Sequence, residues 1–432
     1  MPKQALTALT LSRNVSVVAA LLAIACGADA GDNGSNASGG GAGAGAALEA
    51  GSGGSVSPGG APNPGAGAPG ASGGAGNPTG GSPSGGAGGA AGAVNSGAGA
   101  GGNPGAGAGG ATTPGDLWVA LDGADANPGT EAKPLLNLPN ALVKITAGHT
   151  IWMKAGTYKY GASIQLKKSG TAAAPYTISG APGVRPVLDF TTPAAVRGFD
   201  IQADYWHLVR LEVENASDNC IAISGSHNTI DNLTIHGCGD TGLQITVGSA
   251  QVADATRGAN NLIVNTDSYE NFDAATGGEN ADGFAAKLRI GAGNVFRGCR
   301  AYNNADDGWD FFAADDVVEI DGCWAFSNGK SAGGNNPAGD GNGFKLGGKP
   351  TSEGEGGAVH LVKNSFAFEN LTCGYTQNSN PDVPKLSGCG AKDNKTDYCQ
   401  TLSQSGEVSM SMTAAQAKAV KRNADGSLPP MK

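Results

Sequence analysis

Four aspartates and one lysine stand at matching places in a short recurring pattern. Aligning Thr241-Gly242-Leu243-Gln244, Asp282-Gly283-Phe284-Ala285, Asp307-Gly308-Trp309-Asp310, Asn342-Gly343-Phe344-Lys345 and Cys373-Gly374-Tyr375-Thr376 places a glycine before a large apolar residue each time. If each segment is one rung of a stacked solenoid, Asp282 lies beneath Asp307, and Asp310 shares a column with Lys345. Neighbouring strands are ~4.8 Å apart. Carboxylates at that spacing, with Asp306 and Asp310 added, repel unless a cation lies between them. Asp-Gly pairs are ordinary turn formers and a lone lysine is usually solvated. Their convergence in one stretch of chain points instead to a metal with an amine beside it.

The elements that must hold this ladder are short. Thr150-Ile-Trp-Met153, Trp206-His-Leu-Val209 and Val317-Val-Glu-Ile320 read as strands, and helical periodicity is nearly absent. A second repeat runs through Glu212-Val-Glu-Asn215, Ser268-Tyr-Glu-Asn271, Ala301-Tyr-Asn-Asn304, Ala325-Phe-Ser-Asn328 and Ala367-Phe-Glu-Asn370. The last four asparagines are separated by 33, 24 and 42 residues. Those intervals fit a coil of about 22–24 residues with loops of variable length on one face. An asparagine stacked at one bend, with an aromatic column beside it, satisfies the turn backbone of a parallel β-helix. Propellers and leucine-rich repeats need other periods and leucine columns. The expected fold is therefore all-β, a right-handed parallel β-helix. Leu136–Ile145 is expected to form a short helix within an N-terminal cap over 116–160, and 413–421 a second helix.

The rest of the 432-residue chain is a different polymer. Its formal charge is −10, which disfavours nucleic acid as a partner, and its 74 glycines are very unevenly spread. Residues 1–25 carry Lys3 and Arg13 and then an apolar run ending in Ala23-Ile24-Ala25 before Cys26, which reads as a signal peptide of lipoprotein type. Residues 26–115 are a Gly/Ala-rich linker too poor in apolar side chains to form a core, hence disordered. As a flexible coil of about 89 residues it spans ~50 Å. The domains expected are thus 1–25, 26–115, a catalytic β-helix over 116–400 and a tail or partial cap over 401–432, in a secreted or outer-membrane, cell-surface bacterial lipoprotein. It would be a monomer touching membrane only through its lipid anchor. Disulfides are permitted there. Cys373, Cys389 and Cys399 are the better candidates, and Cys299 and Cys323 should stack as small buried residues. No CxxC pair is present, and the five scattered histidines give no sign of zinc.

From Asp116 onward the chain resembles the family-nine polysaccharide lyases, β-helical pectate lyases. The resemblance is carried by Asn127-Pro-Gly-Thr130 with Lys133-Pro134, Glu279-Asn-Ala-Asp-Gly-Phe-Ala-Ala-Lys287, Phe296 to Asp310, and Asn342-Gly-Phe-Lys-Leu-Gly-Gly348. It implies Ca²⁺ ligands at Asp282, Asp306, Asp307 and Asp310 and a catalytic base at Lys345, acting on polygalacturonate or a related uronic-acid polymer by β-elimination. Lys287, Arg289 and Arg300, with Arg297, cluster in the same coils and are candidates to pair with uronate carboxylates. The regular coils are expected to stop near Thr376, with 381–400 unlike further coils. Two other readings compete. One is a β-helical polysaccharide hydrolase with paired carboxylates, and the other a non-catalytic polysaccharide-binding surface lipoprotein stiffened by calcium.

Overall fold

Strands of two to five residues cannot bury a face or satisfy their amides alone, so each must borrow partners from the equivalent strand one coil away. The computed structural model describes residues 113–431 except 195, 248–257, 332–333, 336–337 and 349–356. The signal sequence, Cys26 and nearly all of the linker lie outside the described residues. Within them the chain winds into three parallel sheets of 11, 9 and 9 strands. The first runs from Leu117–Val119 to Ser403–Ser405, and the second, here the site sheet, from Ile164–Leu166 to Thr396–Cys399. The third, the ladder sheet, runs from Thr157–Lys159 to Gly390–Lys392.

The glycine motif falls into the register expected of it, with Leu243 paired to Phe284, Phe284 to Trp309, Trp309 to Phe344 and Phe344 to Tyr375. These side chains point inward and stack with ring centroids 4.8–5.0 Å apart from Phe284 to Tyr375. Why glycine precedes them is steric. A Cβ on Gly308 would lie 2.5 Å from the Gly343 carbonyl oxygen and 2.8 Å from the Asn328 amide nitrogen.

That amide belongs to the asparagine ladder. The backbone N–H groups of Cys238, Asn271, Asn304, Asn328 and Asn370 donate to the side-chain oxygens of Asn271, Asn304, Asn328, Asn370 and Asn394 one coil on, at 3.0–3.4 Å. Asn215 is not a member. Glu214 pairs with His236 and His236 with Tyr269, so Asn215 sits one place early, at φ +61°, in the column of Glu270 and Asn303. A left-handed residue is needed there, and asparagine tolerates it. A shorter ladder of Asn228, Asn261 and Asn294, not anticipated from sequence, performs the same service at another corner.

The coils do not stop near Thr376. Lys385–Ser387, Gly390–Lys392, Thr396–Cys399 and Ser403–Ser405 continue all three sheets. The lack of large residues in Lys385–Ser387 hides this, because only Leu386 points inward there. Cys373 bonds to Cys399, whereas Cys389 stays buried and free, and Cys220–Cys238 is a second, unforeseen disulfide. Cys299 and Cys323 are buried and free as expected.

Helix Leu138–Lys144 lies in the N-terminal cap with Leu138 and Ala141 buried. The second helix, Ala414–Ala419, starts at a capping box made by Thr413 and Gln416. The tail carrying it lies along the side of the ladder sheet, covering the outer aromatic column of Tyr302, Phe326 and Phe368 with Ala414, Ala417, Met410 and Met412. Replacing Gly308 with alanine forces backbone apart and is expected to cost about 1–3 kcal/mol. Gly161, with nothing within 4 Å of its added Cβ, should accept alanine within roughly 0.5 kcal/mol. Urea midpoints of the two variants test this.

Candidate active site

The acidic residues enter the site sheet from the turn that follows the asparagine ladder. Asp282 and Asp307 precede the glycines of successive rungs, and Asp310 pairs in register with Lys345. The side chains of Asp282 and Asp307 are fully buried, and Asp306 and Asp310 nearly so. One carboxylate oxygen from each of Asp282, Asp306 and Asp307 lies within 4.8 Å of the others.

Asp282, Asp306 and Asp307 are fixed by donors from neighbouring coils, and Asp310 by a donor from its own. Asp282 accepts from the Asp307 amide at 3.2 Å and the Thr241 hydroxyl at 3.0 Å. Asp306 accepts from the amides of Asn280 and Asp340 at 3.0 and 2.6 Å, and Asp307 from the Asn342 amide at 2.6 Å. Asp310 accepts from the Phe312 amide at 2.9 Å. The second oxygen of Asp307 is buried and makes no hydrogen bond.

Two lysines complete the constellation. Lys345 Nζ stands 3.0 Å from Asp340, 3.4 Å from Asp307 and 3.9 Å from Asp310. Lys287 Nζ lies 3.2 Å from Asp282 and 3.5 Å from Asp310. Burial and the crowding of like charges push the Asp282 and Asp307 carboxyls well above their usual range, and Asp306 also upward. Burial alone would pull the Lys345 ammonium down, but Asp310, Asp307, Asp306 and Asp340 outweigh it and hold it well above its ordinary value.

The donor set suits a hard dication. Oxygens bound at ~2.3–2.6 Å on opposite sides of a calcium ion are up to about 5 Å apart, so a 4.8 Å limit on the three carboxylates is compatible with one shared ion. The buried Oδ2 of Asp307 makes no hydrogen bond and meets the Lys345 ammonium at 3.4 Å, so it keeps acceptor capacity for a metal. Asp310 shares Lys287 with Asp282 and closes the group from the next column.

The basic candidates separate. Lys287 is buried inside the cluster rather than presented to solvent. Arg300 is a correction: it belongs to the ladder sheet, is buried, and donates to Asp267 and to the Ala417 and Val420 carbonyls of the tail. It secures the tail and has no face toward a substrate. Arg289 pairs with Asp315 at 3.8 Å and Arg297 with Asp321 at 3.7 Å. Asp340, the nearest partner of Lys345, escaped the sequence reading because it lies in the loop before the aligned rung. The run Asp340-Gly-Asn-Gly was its only signal.

A family model described as Pel9A-like, right handed beta helix region matches residues 117–416. Pectate lyase L of Paenibacillus polymyxa (strain SC2) is 40% identical, the alignment covering 65% of this chain and 63% of that protein. Pectate lyase L of Dickeya chrysanthemi is 36% identical over 61% of each. The chain thus spans somewhat under two thirds of the length of these curated relatives. The crystal structure of pectate lyase Pel9A superposes with a TM-score of 0.62 at 29% identity, covering 74% of this chain and 88% of that one. The handedness and coil architecture expected from sequence agree with these matches.

Without metal, the raised carboxyls of Asp282 and Asp307 take up protons on folding. Stability should therefore fall as pH climbs above about 4, where the unfolded carboxyls ionise first. The raised Lys345 adds stability that is lost only above its unfolded value near ~10.5, so it is constant across neutral pH. In chelator, melting temperature should drop between pH 5 and 8, and Asp307→Asn should show a smaller drop. An equal drop in the variant would contradict the charge crowding.

Proposed function

Since this chain belongs to the Pel9A-like right-handed β-helix family, polysaccharide lyase family nine, we propose that it is a calcium-dependent pectate lyase cleaving polygalacturonate or a related uronic-acid polymer by β-elimination. The observation that carries the reading is the convergence of three buried carboxylates beside Lys345. Asp282, Asp306, Asp307 and Asp310 are the proposed ligands and Lys345 the base. These residues would hold a calcium ion, which would supply positive charge toward the uronate carboxylate and so make the sugar's C5 proton more acidic.

Lys345 must be neutral to accept that proton, and a dication on Asp306, Asp307 and Asp310 would offset the negative charge that holds its ammonium protonated in the metal-free site. Its Asp340 partner is 61% exposed and 3.0 Å away, which gives the ammonium proton a route to water. The neutral Nζ then takes the C5 proton, the C5 electron pair forms the C4–C5 double bond, and the C4–oxygen bond breaks with the leaving sugar. Buried walls keep water from the carboxylates and strengthen their charge interactions.

A hydrolase would keep its two carboxyls ~5–9.5 Å apart with access for sugar and water. Carboxylates buried together within 4.8 Å favour the metal-bound arrangement instead. For the whole protein we infer an exported monomer held by a lipid on Cys26, a reading supported by the sequence of residues 1–26 and by two disulfides, which oxidising compartments permit.

Polygalacturonate incubated with the protein and Ca²⁺ should gain ultraviolet absorbance from the unsaturated product, and chelation should stop it. Lys345→Ala should lower the rate by roughly 10²–10⁴ with an unchanged circular dichroism spectrum. The rate should rise into the alkaline range as the lysine loses its proton; an optimum in acid would remove Lys345 from the role of base.

A further inference from the structure

On the outer face of the ladder sheet, remote in sequence from the acidic cluster, Glu212 and Glu214 flank the inward-pointing Val213. Residues two apart on a strand share a face, and His236 on the next coil pairs in register with Glu214. Its Nε2 lies 3.1 Å from Glu212 Oε1 and 3.3 Å from Glu214 Oε2. All three side chains are partly open, at 28%, 19% and 20% exposure. We propose that Glu212, Glu214 and His236 form a second metal site, for a zinc-like transition-metal dication, on the flank of the coil.

The distances, which in the metal-free protein are those of an ion-paired hydrogen bond, also fit a coordination shell. Zinc with nitrogen and oxygen ligands at ~2.0–2.1 Å in tetrahedral geometry has ligand-to-ligand edges of about 3.3 Å, matching the two contacts of His236. The three ligand atoms all lie within 4.8 Å of one another. The imidazole plane is held by the Tyr269 ring stacked on it at 4.9 Å and 8°, so the donor is preorganised on rigid strands. Charge points the same way: Asp189 pairs in register with Glu214 and Glu270 also acts on His236, giving four carboxylates against the imidazole, Arg185 beside Glu212 and a largely exposed Lys159, 3.9 Å from Asp189. An imidazole donor selects zinc, nickel or cobalt over calcium. In metal-free protein a protonated His236 bridges the glutamates, and the ion takes the place of that proton. Bound there it joins two consecutive coils where the outer aromatic column begins. The scattered histidines give no hint of this in sequence, because Glu212 and His236 meet only through the register.

The test is calorimetric titration of zinc chloride into the full chain, stripped by chelator and then saturated with calcium to occupy the carboxylate cluster. One equivalent of zinc should bind, with affinity reduced at least about tenfold in His236→Gln and likewise in Glu212→Gln, and unchanged in Asp307→Asn. Cobalt substituted for zinc should give the intense visible bands of a tetrahedral nitrogen–oxygen site, absent from His236→Gln. No zinc uptake, uptake indifferent to both His236→Gln and Glu212→Gln, or uptake lost only in Asp307→Asn would each overturn the proposal.

Discussion

Everything in this molecule follows from like residues being stacked on like at the spacing of parallel strands. A column of aromatics gains contact from that repeat, as the rings from Phe284 to Tyr375 do. A column of asparagines satisfies itself, since each amide group both gives and accepts. A column of carboxylates can do neither. The fold confines that conflict to two rungs, Asp282 and Asp307, and borders them with Thr241 below and Asn342 above, whose hydroxyl and amide donate to them. What remains is an excess of carboxylates (Asp282, Asp306, Asp307, Asp310 and Asp340) over the two ammonium groups of Lys287 and Lys345, which a dication would balance.

The two ladders are therefore parts of one device. The asparagine column closes the bend just before the site sheet, and its amides occupy the space a side chain would need at Gly283 and Gly308. Without a Cβ there, the strand can lie close against the asparagine column and the next rung, with the preceding aspartate held beneath the next coil. Stability of the bend and placement of the carboxylates cannot be varied independently. Lys345 and Asp340 lie at the outer edge of this arrangement, where a buried amine meets an exposed acid.

The outer surface of the ladder sheet obeys the same rule with a different outcome. Its aromatic column would leave a greasy stripe on the flank, and the C-terminal tail covers it, held by Arg300 and Arg422 on Asp267. Arg300 shares the coils of the acidic residues, as the sequence indicates, yet its side chain faces the tail. A coil has three faces, and six residues are enough to pass from one to the next.

Much of this was legible beforehand because a solenoid repeats its own environment. The register of the glycine-aromatic motif, the asparagine column from Asn271 to Asn370, and the grouping of Asp282, Asp307, Asp310 and Lys345 follow from alignment of the chain with itself. Where the repeat lacks large residues, as in 385–405, or a one-residue offset intervenes, as at Asn215, pattern alone misleads. The amino-acid order by itself determined the coil, its core and the acidic rungs, since those depend on periodic spacing. Only the tertiary structure decided which charges share a face, how Lys287 and Asp340 join the cluster, which cysteines pair, and that Glu212, Glu214 and His236 meet. Those contacts depend on loop lengths and side-chain direction between coils, and neither is periodic.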